Sequence, residues 1–428
     1  MTTRSVAGQS SFSPYQRFVT AILAIIQFTV ILDFMVISPL GAILMNTLAI
    51  SPAQFGWVVS VYAFSAAAAG VLAAGFADRF DRKRLLLFFY AGFMLGTAFC
   101  ALAPDYQSLL MARVVTGLFG GVISSVSLAI VTDLFEMSLR GRVMGFVQMA
   151  FAASQVLGIP IGLLLANQFG WHAPFWLIAG VGTMIGIVIQ LYMKPVDSHL
   201  KYRQDRNPFH HLIKTVGHRS YLLAFATTAV LTTGGFMVMP FSSAFSVNNV
   251  GLTLEQLPIL YGITGVCSIV AGPLIGRWSD RIGKFTIFCG GSILTMITTA
   301  VYTNLGITPF VVVMAINIVL LIGISSRMIS SSALLTAVPS LPDRGAFMSI
   351  IASVQQLAGG LASLVAGLVI VQQGNGPLQH FDTLGYMVIA TMLGALYLMF
   401  LVDRQVRQHA AARPESEEAV VREIAVKA

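Results

Sequence analysis

Residues 54–84 read QFGWVVSVYAFSAAAAGVLAAGFADRFDRKR, an apolar run that stops at a basic turn. The apolar part, 54–77, is longer than the roughly 20 residues that a helix needs to cross about 30 Å of hydrocarbon. Its side chains do not alternate between apolar and polar, as a strand of a membrane barrel would require. The stretch therefore predicts a transmembrane helix that ends at a charged membrane surface.

The same pattern extends over the whole chain. Hydrophobic residues make up 56% of the 428 residues and charged residues 10%, whereas a soluble domain carries roughly a quarter charged residues. This composition predicts an all-α membrane protein, because a soluble fold could not hide so much apolar surface. The twelve apolar runs of spanning length are 18–45, 54–77, 85–104, 107–132, 143–167, 173–193, 221–246, 257–276, 285–304, 309–333, 346–372 and 383–402.

The basic residues fall on one side of the predicted helices. Of the 25 Lys and Arg residues, only Arg113 and Arg327 lie within a span, and the turns after the odd-numbered spans hold none. Because basic loops remain in the cytoplasm, we expect a multi-pass protein of the cell membrane with both termini cytoplasmic. This distribution accounts for the net charge of +8 without a nucleic-acid partner.

The longest polar stretch between spans follows the sixth span and divides the chain. The predicted segments are a cytoplasmic N-terminus (1–17), a six-helix bundle (18–193), a cytoplasmic central loop (194–220), a second six-helix bundle (221–403) and a cytoplasmic tail (404–428). The central loop holds four of the seven histidines. They lack the spacing and companion ligands of a metal site, which favours a solvated linker.

Two short patterns occur once in each half. Asp78-Arg79 follows the second span, and Asp280-Arg281 follows the eighth, 202 residues later (280 − 78). Arg140-Gly141 precedes the fifth span, and Arg344-Gly345 precedes the eleventh, 204 residues later (344 − 140). Two landmarks at nearly one offset indicate a duplicated six-helix unit. Because six is even, both copies have the same topology and are related by a pseudo-twofold axis along the membrane normal.

With this duplicated motif the chain resembles the major facilitator superfamily, and more loosely its drug and sugar efflux branches. The family signature between the second and third helices reads Gly-x-x-x-Asp-Arg-x-Gly-Arg-Lys. The residues that match it in the two halves are Asp78, Arg79, Arg82 and Lys83, and Gly276, Asp280, Arg281, Gly283 and Lys284. The resemblance implies a gating role for these loops, whose charge contacts would hold the outward-facing state; a basic membrane anchor is the alternative.

The first copy of this signature departs from the pattern at both glycines. Ala74 and Asp81 stand in their places. Glycine at the second position can adopt φ > 0, and Asp tolerates such angles better than most residues. The sequence alone therefore does not determine the backbone conformation of the first turn.

Two opposite charges lie within the spans of the first half. Asp33 is the only acid well inside a span, and a charge in hydrocarbon is costly. At about 1.5 Å per residue, Asp33 lies about 22 Å into the first span and Arg113 about 9 Å into the fourth from the other side, so their depths agree. We predict that they face each other across a central cavity and pair, so that protonation of Asp33 frees Arg113. A solvated Asp33 at the outer interface is the alternative.

Two further motifs resemble helices of proton-coupled relatives. Arg113-Val-Val-Thr116-Gly117 resembles the fourth-helix motif Arg-x-x-Gln-Gly, with Thr116 in place of Gln. Gly158-Ile-Pro160-Ile-Gly162 resembles the fifth-helix antiporter motif, although Ile159 separates its Gly from its Pro. The resemblance implies a role for Arg113 in proton transfer and favours efflux. A kinked packing face of small residues is the alternative for the fifth helix.

Other polar residues within the spans are weaker candidates. Family geometry implies that the first, fourth, seventh and tenth helices line the cavity, which favours Gln27 and the seventh-helix Thr232 as substrate contacts. Arg327, near the cytoplasmic end of the tenth span, either contacts substrate or a gate, or extends its charge to the membrane surface.

The chain lacks the motifs of ATP-driven transport and of common hydrolases. We find no Gly-Lys-Ser/Thr phosphate loop and no His-Glu-x-x-His zinc pattern. We expect no enzyme activity, no cofactor and no metal, and a monomer whose partners are a small solute, protons and the lipid bilayer. Proton-coupled efflux is the leading function and proton-coupled uptake the second. A lipid mover, a sensor and a membrane enzyme are the competing functions of lower rank.

Overall fold

The computed structural model describes residues 12–73, 79–197, 200, 215–340, 343–374 and 376–427. In this part of the chain, twelve helical segments are long and apolar enough to cross a membrane, so the protein is a multi-pass membrane protein. Two positions of the first signature copy, Ala74 and Asp78, lie outside the described residues, as do 201–214 of the predicted central loop.

The described residues of the first half form eight α-helices. They are α1 Pro14–Val36, α2 Gly41–Thr47, α3 Pro52–Ala73, α4 Arg82–Leu102, α5 Tyr106–Leu134, α6 Met137–Ala153, α7 Ile159–Phe169 and α8 Ala173–Tyr192. A π-helical turn, Ser154–Gly158, joins α6 to α7. Side chains cap the helix starts: Ser13 accepts from the backbone N–H of Gln16, and Asp105 accepts from that of Ser108.

The second half repeats this arrangement. Its helices are α9 Arg219–Val238, α10 Ser242–Asn248, α11 Gln256–Ile282, α12 Lys284–Thr303, α13 Phe310–Leu335, α14 Arg344–Val369 and α15 Phe381–Lys427. A 3₁₀ turn, Met239–Phe241, joins α9 to α10. Two short strands, β1 Val371–Gln372 and β2 Leu378–Gln379, pair antiparallel before α15. The last helix continues beyond the predicted span 383–402 into the predicted tail.

The first and seventh predicted spans are interrupted. Within the predicted spans 18–45 and 221–246, α1 ends at Val36 and α9 at Val238, and a short helix follows each break. A proline lies in each break, Pro39 and Pro240, 201 residues apart (240 − 39). Proline has no N–H to donate within a helix and its ring crowds the preceding turn. The breaks are therefore a further copy of the internal repeat.

The twelve spans form two six-helix bundles related by pseudo-twofold symmetry. We call the face at which α3 ends and α4 begins the basic face, because it carries Arg82 and Lys83. Near the opposite face the two bundles are in contact. The Ser243 hydroxyl donates to the Ser38 carbonyl at 3.0 Å, and the rings of Phe55 and Phe241 lie 5.6 Å apart.

The bundles separate towards the basic face along α6 and α11. In the part of these helices nearer the opposite face, a Cβ added at Gly265 would lie 3.0 Å from the Val156 side chain. Nearer the basic face, a Cβ added at Gly145 of α6 or at Gly272 of α11 would meet no described atom within 4 Å. Gly145 and Gly272 therefore face open space on the basic-face side of this contact, and we call the space beside α6 and α11 there the central cleft.

Candidate functional site

A buried ion pair lies inside the first bundle. Arg113 Nη1 on α5 donates to Asp33 Oδ2 on α1 at 2.7 Å, and both side chains are 0% exposed. The Thr97 hydroxyl on α4 lies 3.2 Å from Asp33 Oδ1 and completes the hydrogen bonding of the carboxylate. Three helices therefore meet at one carboxylate, at a depth where water would not screen its charge.

The guanidinium of Arg113 has fewer partners than it has donors. Its Cζ lies 4.4 Å from the centre of the Tyr62 ring on α3, a cation–π distance. Its Nε and Nη2 make no hydrogen bond with any described residue. Asp33 is the carboxylate that pairs with this guanidinium, so the ion pair depends on the ionisation of a single group.

Glycines allow the helices around the ion pair to come this close. A Cβ added at Gly117 of α5 would lie 2.5 Å from the Tyr62 carbonyl oxygen. One added at Gly96 of α4 would lie 2.8 Å from the backbone nitrogen of Thr116. The Thr116 hydroxyl lies 3.1 Å from the carbonyl oxygen of Ala112 within its own helix. Thr116 therefore acts in this structure as a packing residue beside the ion pair.

The position of the ion pair differs from the predicted one. Asp33 and Arg113 are in contact, but inside the first bundle and not across a central cavity. Phe34 and Tyr62 lie between them and the second bundle, with ring centres 5.2 Å apart, and Phe236 of the second bundle lies 5.9 Å from Phe34. We call Phe34, Tyr62 and Phe236 the aromatic layer.

Gln27 and Thr232 lie on the basic-face side of the aromatic layer. Gln27 is seven residues before Phe34 on α1, and Thr232 is four residues before Phe236 on α9, so each shares a helix face with a ring of the layer. Gln27 Nε2 donates to the exposed Ser124 hydroxyl at 3.0 Å. Thr232 donates to the Thr228 carbonyl at 2.8 Å. Neither hydrogen bond involves Asp33 or Arg113.

Comparison with known proteins identifies the family. The sequence matches the profile of the Major Facilitator Superfamily over residues 23–363, with a second match over 226–427. The chain belongs to the Major Facilitator Superfamily. Its membership of this family makes it a secondary transporter.

Individual relatives resemble parts of this transporter. It is 28% identical over 272 residues to the uncharacterized MFS-type transporter YceJ of Bacillus subtilis (strain 168), covering 63% of this chain and 68% of that protein. It is 29% identical over 152 residues to Multidrug resistance protein 3 of the same organism, covering 36% of this chain and 30% of that protein. A crystal structure of a D-xylose-proton symporter superposes with a TM-score of 0.71 at 18% identity, covering 90% of this chain and 97% of that one. The last comparison establishes the fold.

The fifth-helix motif of the transporter packs against the helix of the ion pair. A Cβ added at Gly158 would lie 2.5 Å from a methyl group of Leu32, and one at Gly162 would lie 2.9 Å from Val36. These two glycines therefore allow the fifth span to pack closely against α1 on both sides of Asp33. Pro160 follows the π-helical turn and lies near Gly262 of the second bundle. Such π-helical turns are rare and often lie at functional sites.

The first signature loop contacts the first bundle and Val196, just after that bundle. Arg82 Nε lies 3.2 Å from Asp133 Oδ2 at the end of α5, and Lys83 Nζ donates to the Gln190 carbonyl at 3.0 Å. Arg79 is exposed. At Asp81 the backbone has φ −55°, and its carboxylate caps α4 by accepting from the N–H of Arg84 at 2.8 Å. The aspartate therefore replaces glycine by capping a helix and not by adopting φ > 0.

The second signature loop uses a different backbone. Gly283 has φ +113°, which a residue with a Cβ rarely adopts. Lys284 then begins α12, and Asp280 and Arg281 are exposed at the end of α11. The two copies of the motif therefore reach similar helix connections through different local chemistry.

Several residues that contact the predicted site residues carry little signal in the sequence. Thr97 lies in an apolar span with no charged neighbour, and a threonine there usually bonds its own helix. Ser124 is likewise one of many span serines. Tyr62 stands out as a polar residue within a span, but its contact with Arg113 depends on how α3 and α5 cross. The contacts of all three residues depend on how neighbouring helices are aligned and rotated against each other, which composition does not encode.

Proposed function

We propose that this protein is a proton-coupled efflux transporter of the cell membrane that works by alternating access, with Asp33 as the proton-carrying group. The supporting observation is the fully buried ion pair between Asp33 and Arg113. A buried carboxylate that pairs with one cation changes the local charge balance when it binds a proton. In this proposal both termini and the basic face are cytoplasmic, and the structure corresponds to an inward-facing state.

Protonation would change the forces on α1. When Asp33 is neutral, Arg113 loses its counter-charge and must find other acceptors or more water, because an unpaired buried charge is costly. The helix break after α1 begins only a few residues after Asp33. In this break the Ser38 carbonyl accepts a hydrogen bond from the Ser243 hydroxyl of the second bundle. A displacement of α1 near Asp33 would therefore reach the contact between the bundles.

The fifth helix gives α1 a second route to the other bundle. Leu32, next to Asp33 in the chain, lies against Gly158 at the end of the π-helical turn. Val156, within the same turn, lies against Gly265 of α11. The chain of contacts from Asp33 to the second bundle is thus two side chains long. We infer that the proton state of Asp33 sets the equilibrium between the two conformations of the transporter.

Two observations favour efflux over uptake. Gly158, Pro160 and Gly162 resemble the antiporter motif of the superfamily, and Multidrug resistance protein 3 is among the relatives of this chain. In efflux by exchange, a proton enters as the solute leaves. A pH gradient that is acidic on the side opposite the basic face would then drive the solute outward.

The test is a flux assay in proteoliposomes with an imposed pH gradient. The solutes are a drug panel that begins with ethidium, and the variants are wild type, Asp33→Asn and Asp105→Asn. We expect Asp33→Asn to bind drug but to lose all gradient-driven flux, because asparagine accepts a hydrogen bond from Arg113 but does not titrate. Asp105 is the matched control: the backbone N–H and hydroxyl of Ser108 lower the pKa of this exposed carboxyl.

The outcomes separate the competing functions. Gradient-driven flux that survives in Asp33→Asn would rule out Asp33 as the proton carrier. Drug that moves with the protons, and not against them, would replace efflux by uptake. Binding without flux in wild type would identify a sensor on this scaffold.

A further inference from the structure

Both arginines that lie within the spans are buried beside an aromatic ring. Arg327 on α13 is 5% exposed, so its charge lies inside the second bundle and not at its surface, and its Cζ is 5.9 Å from the centre of the Phe288 ring on α12. Arg113 lies closer to its ring, with Cζ 4.4 Å from the centre of Tyr62 on α3. Arg113 also contacts the carboxylate of Asp33. A ring and a carboxylate therefore share this guanidinium.

Tyr62 is held against α5 by glycines of that helix. Arg113, Gly117 and Gly120 follow the spacing i, i+4, i+7, so they lie on one face of α5. A Cβ added at Gly117 would lie 2.5 Å from the Tyr62 carbonyl oxygen, and one added at Gly120 would lie 2.9 Å from the Tyr62 hydroxyl. The residue is 2% exposed. In this conformation the ring therefore has little room to move away from the guanidinium.

The titratable groups that face Arg113 come from three helices. They are Asp33 of α1, Tyr62 of α3 and Cys100 of α4. The backbone carbonyl oxygen of Asp33 lies 3.5 Å from Arg113 Nη1, a distance at which a hydrogen bond is weak, and a thiol is a weak acceptor. A neutral Asp33 keeps an oxygen that can accept a hydrogen bond but loses its charge. The electrostatic attraction that then remains with these groups comes mainly from the face of the Tyr62 ring.

Arg113 keeps its charge when Asp33 binds a proton, because a guanidinium does not lose its own proton in proteins. A buried charge without a counter-charge is costly, which favours movement of the side chain towards other acceptors. The quadrupole of a desolvated aromatic ring stabilises a cation that lies over its face. The ring of Tyr62 therefore opposes this movement, and Arg113 remains where it can pair with Asp33 again after the proton is released.

We propose that Tyr62 is a positioning residue for proton coupling, whose ring keeps Arg113 beside Asp33 while Asp33 carries the proton. This inference rests on the proposed function, which assigns the proton to Asp33. The same ring belongs to the aromatic layer, where Phe34 lies 5.2 Å from Tyr62 and 5.9 Å from Phe236. A ring that stays on Arg113 also keeps the layer closed in both protonation states, so the proton site remains separated from the second bundle.

The test changes the electrostatic potential of the ring while nearly conserving its shape. Tyr62 is replaced in the full chain by phenylalanine and, through nonsense suppression, by mono-, di- and trifluorophenylalanine. Each fluorine withdraws electron density from the ring face and weakens its attraction for a cation. In the proteoliposome assay with ethidium, we expect Tyr62→Phe to stay within about twofold of wild type, and the trifluorinated variant to lose about tenfold in gradient-driven rate. The KM for ethidium should stay within about twofold, because the ring contacts Arg113 and not the solute.

Phe93 of α4 provides the matched control position. Its side chain is 0% exposed, and a Cβ added at Gly120 would lie 3.1 Å from its ring, so it is as buried as Tyr62 and meets the same part of α5. In the described part of the chain, the cation–π contacts involve other rings. The same fluorine series at Phe93 should leave the rate within about twofold of wild type. A merely structural role of Tyr62 would make the two series alike.

A stability measurement tests the protonated half of the cycle without transport. Asp33→Asn provides a neutral side chain in place of the protonated carboxyl, and thermal unfolding in detergent is followed for the fluorine series at Tyr62. We expect the midpoint to fall with each fluorine at least about twice as steeply in Asp33→Asn as in wild type, because the charge of Asp33 partly cancels that of Arg113 at the ring. In the double variant Asp33→Asn, Arg113→Met, the midpoint should not fall with fluorination.

Three results would overturn the proposal. They are a rate and a midpoint that do not depend on fluorination at Tyr62, equal dependence at Tyr62 and Phe93, and equal dependence with and without the Arg113 guanidinium. The transport series keeps Asp33 and Arg113 unchanged. It therefore decides the question even if Asp33→Asn does not fold.

The role of Tyr62 and the proposed function fail in different ways. Gradient-driven flux that survives in Asp33→Asn would remove Asp33 as the proton carrier, and with it the proposed coupling. Loss of that flux in Asp33→Asn, together with a rate and a midpoint that do not change along the fluorine series, would remove only the role of Tyr62.

Discussion

Asp33 and Arg113 are the residues on which the proposed coupling depends most directly. In the folded protein each is the counter-charge of the other, and neither is exposed. Removing one partner of a buried pair costs about 3–5 kcal/mol, whereas replacing both by apolar groups is often neutral. The stability of variants at these two positions should therefore be strongly non-additive.

We predict that Asp33→Leu destabilises the protein and that the double variant Asp33→Leu, Arg113→Met recovers most of the loss. The single change leaves a buried guanidinium without a counter-charge, at a cost of about 3–5 kcal/mol. The second change removes that charge. The midpoint of thermal unfolding in detergent, followed by tryptophan fluorescence, measures both effects. Equal midpoints for the single and double variants would mean that the pair carries no net stabilising charge interaction.

At this scale the sequence predicts part of the site. The depth estimate places Asp33 and Arg113 at one level of the membrane, because rise per residue and span boundaries are enough for that. It does not predict on which side of each helix the two side chains lie. That depends on the crossing of α1, α4 and α5, which the glycine contacts determine. The ion pair is therefore internal to one bundle, and the predicted central cavity at this position is replaced by the aromatic layer.

At the scale of elements, small residues determine how closely the helices pack. A Cβ added at Gly121 of α5 would lie 2.4 Å from the Ala66 carbonyl oxygen and 2.6 Å from its Cα on α3, so backbone would have to move. Gly145 of α6 faces open space, with no described atom within 4 Å of an added Cβ. The same substitution should therefore have opposite effects at these two glycines.

We predict that Gly121→Ala destabilises the protein by about 1–3 kcal/mol, because it overpacks the contact between α3 and α5. Gly145→Ala should be neutral or stabilising by up to about 1 kcal/mol, because alanine favours the helix more than glycine does. Thermal midpoints of the two variants in one detergent provide the measurement. A Gly121→Ala protein as stable as wild type would show that α3 and α5 are less closely packed than described.

The twelve spans themselves follow from the sequence, but the breaks within two of them do not. Apolar length and the distribution of basic residues suffice to count and orient helices. Pro39 and Pro240 are visible in the sequence, yet prolines such as Pro273 lie within an unbroken helix. Neighbouring helices decide between these outcomes by satisfying or not satisfying the freed carbonyl groups.

For the whole molecule, the contacts between the bundles define one conformation. These contacts bury Ser243 near the opposite face and Ser60 between the bundles. The Ser60 hydroxyl donates to the Gly360 carbonyl at 2.7 Å. Towards the basic face, Gly145 and Gly272 border the central cleft. Alternating access requires these two sets of positions to exchange their accessibility during each cycle.

We predict that cysteines introduced at Gly145 and Gly272 react with a membrane-impermeant maleimide from the basic face. Cysteines at Ser60 and Ser243 should react at least about tenfold more slowly, because the protein must first leave this conformation, and a tenfold difference corresponds to about 1.4 kcal/mol. The background is a variant without Cys100, Cys267 and Cys289, so that only the introduced thiol is labelled. A turnover-competent solute together with a pH gradient should raise the rates at Ser60 and Ser243 and lower those at Gly145 and Gly272. Rates that stay unchanged at all four positions during transport would contradict alternating access, because no other movement of two rigid bundles carries a solute past the contacts at Ser60 and Ser243.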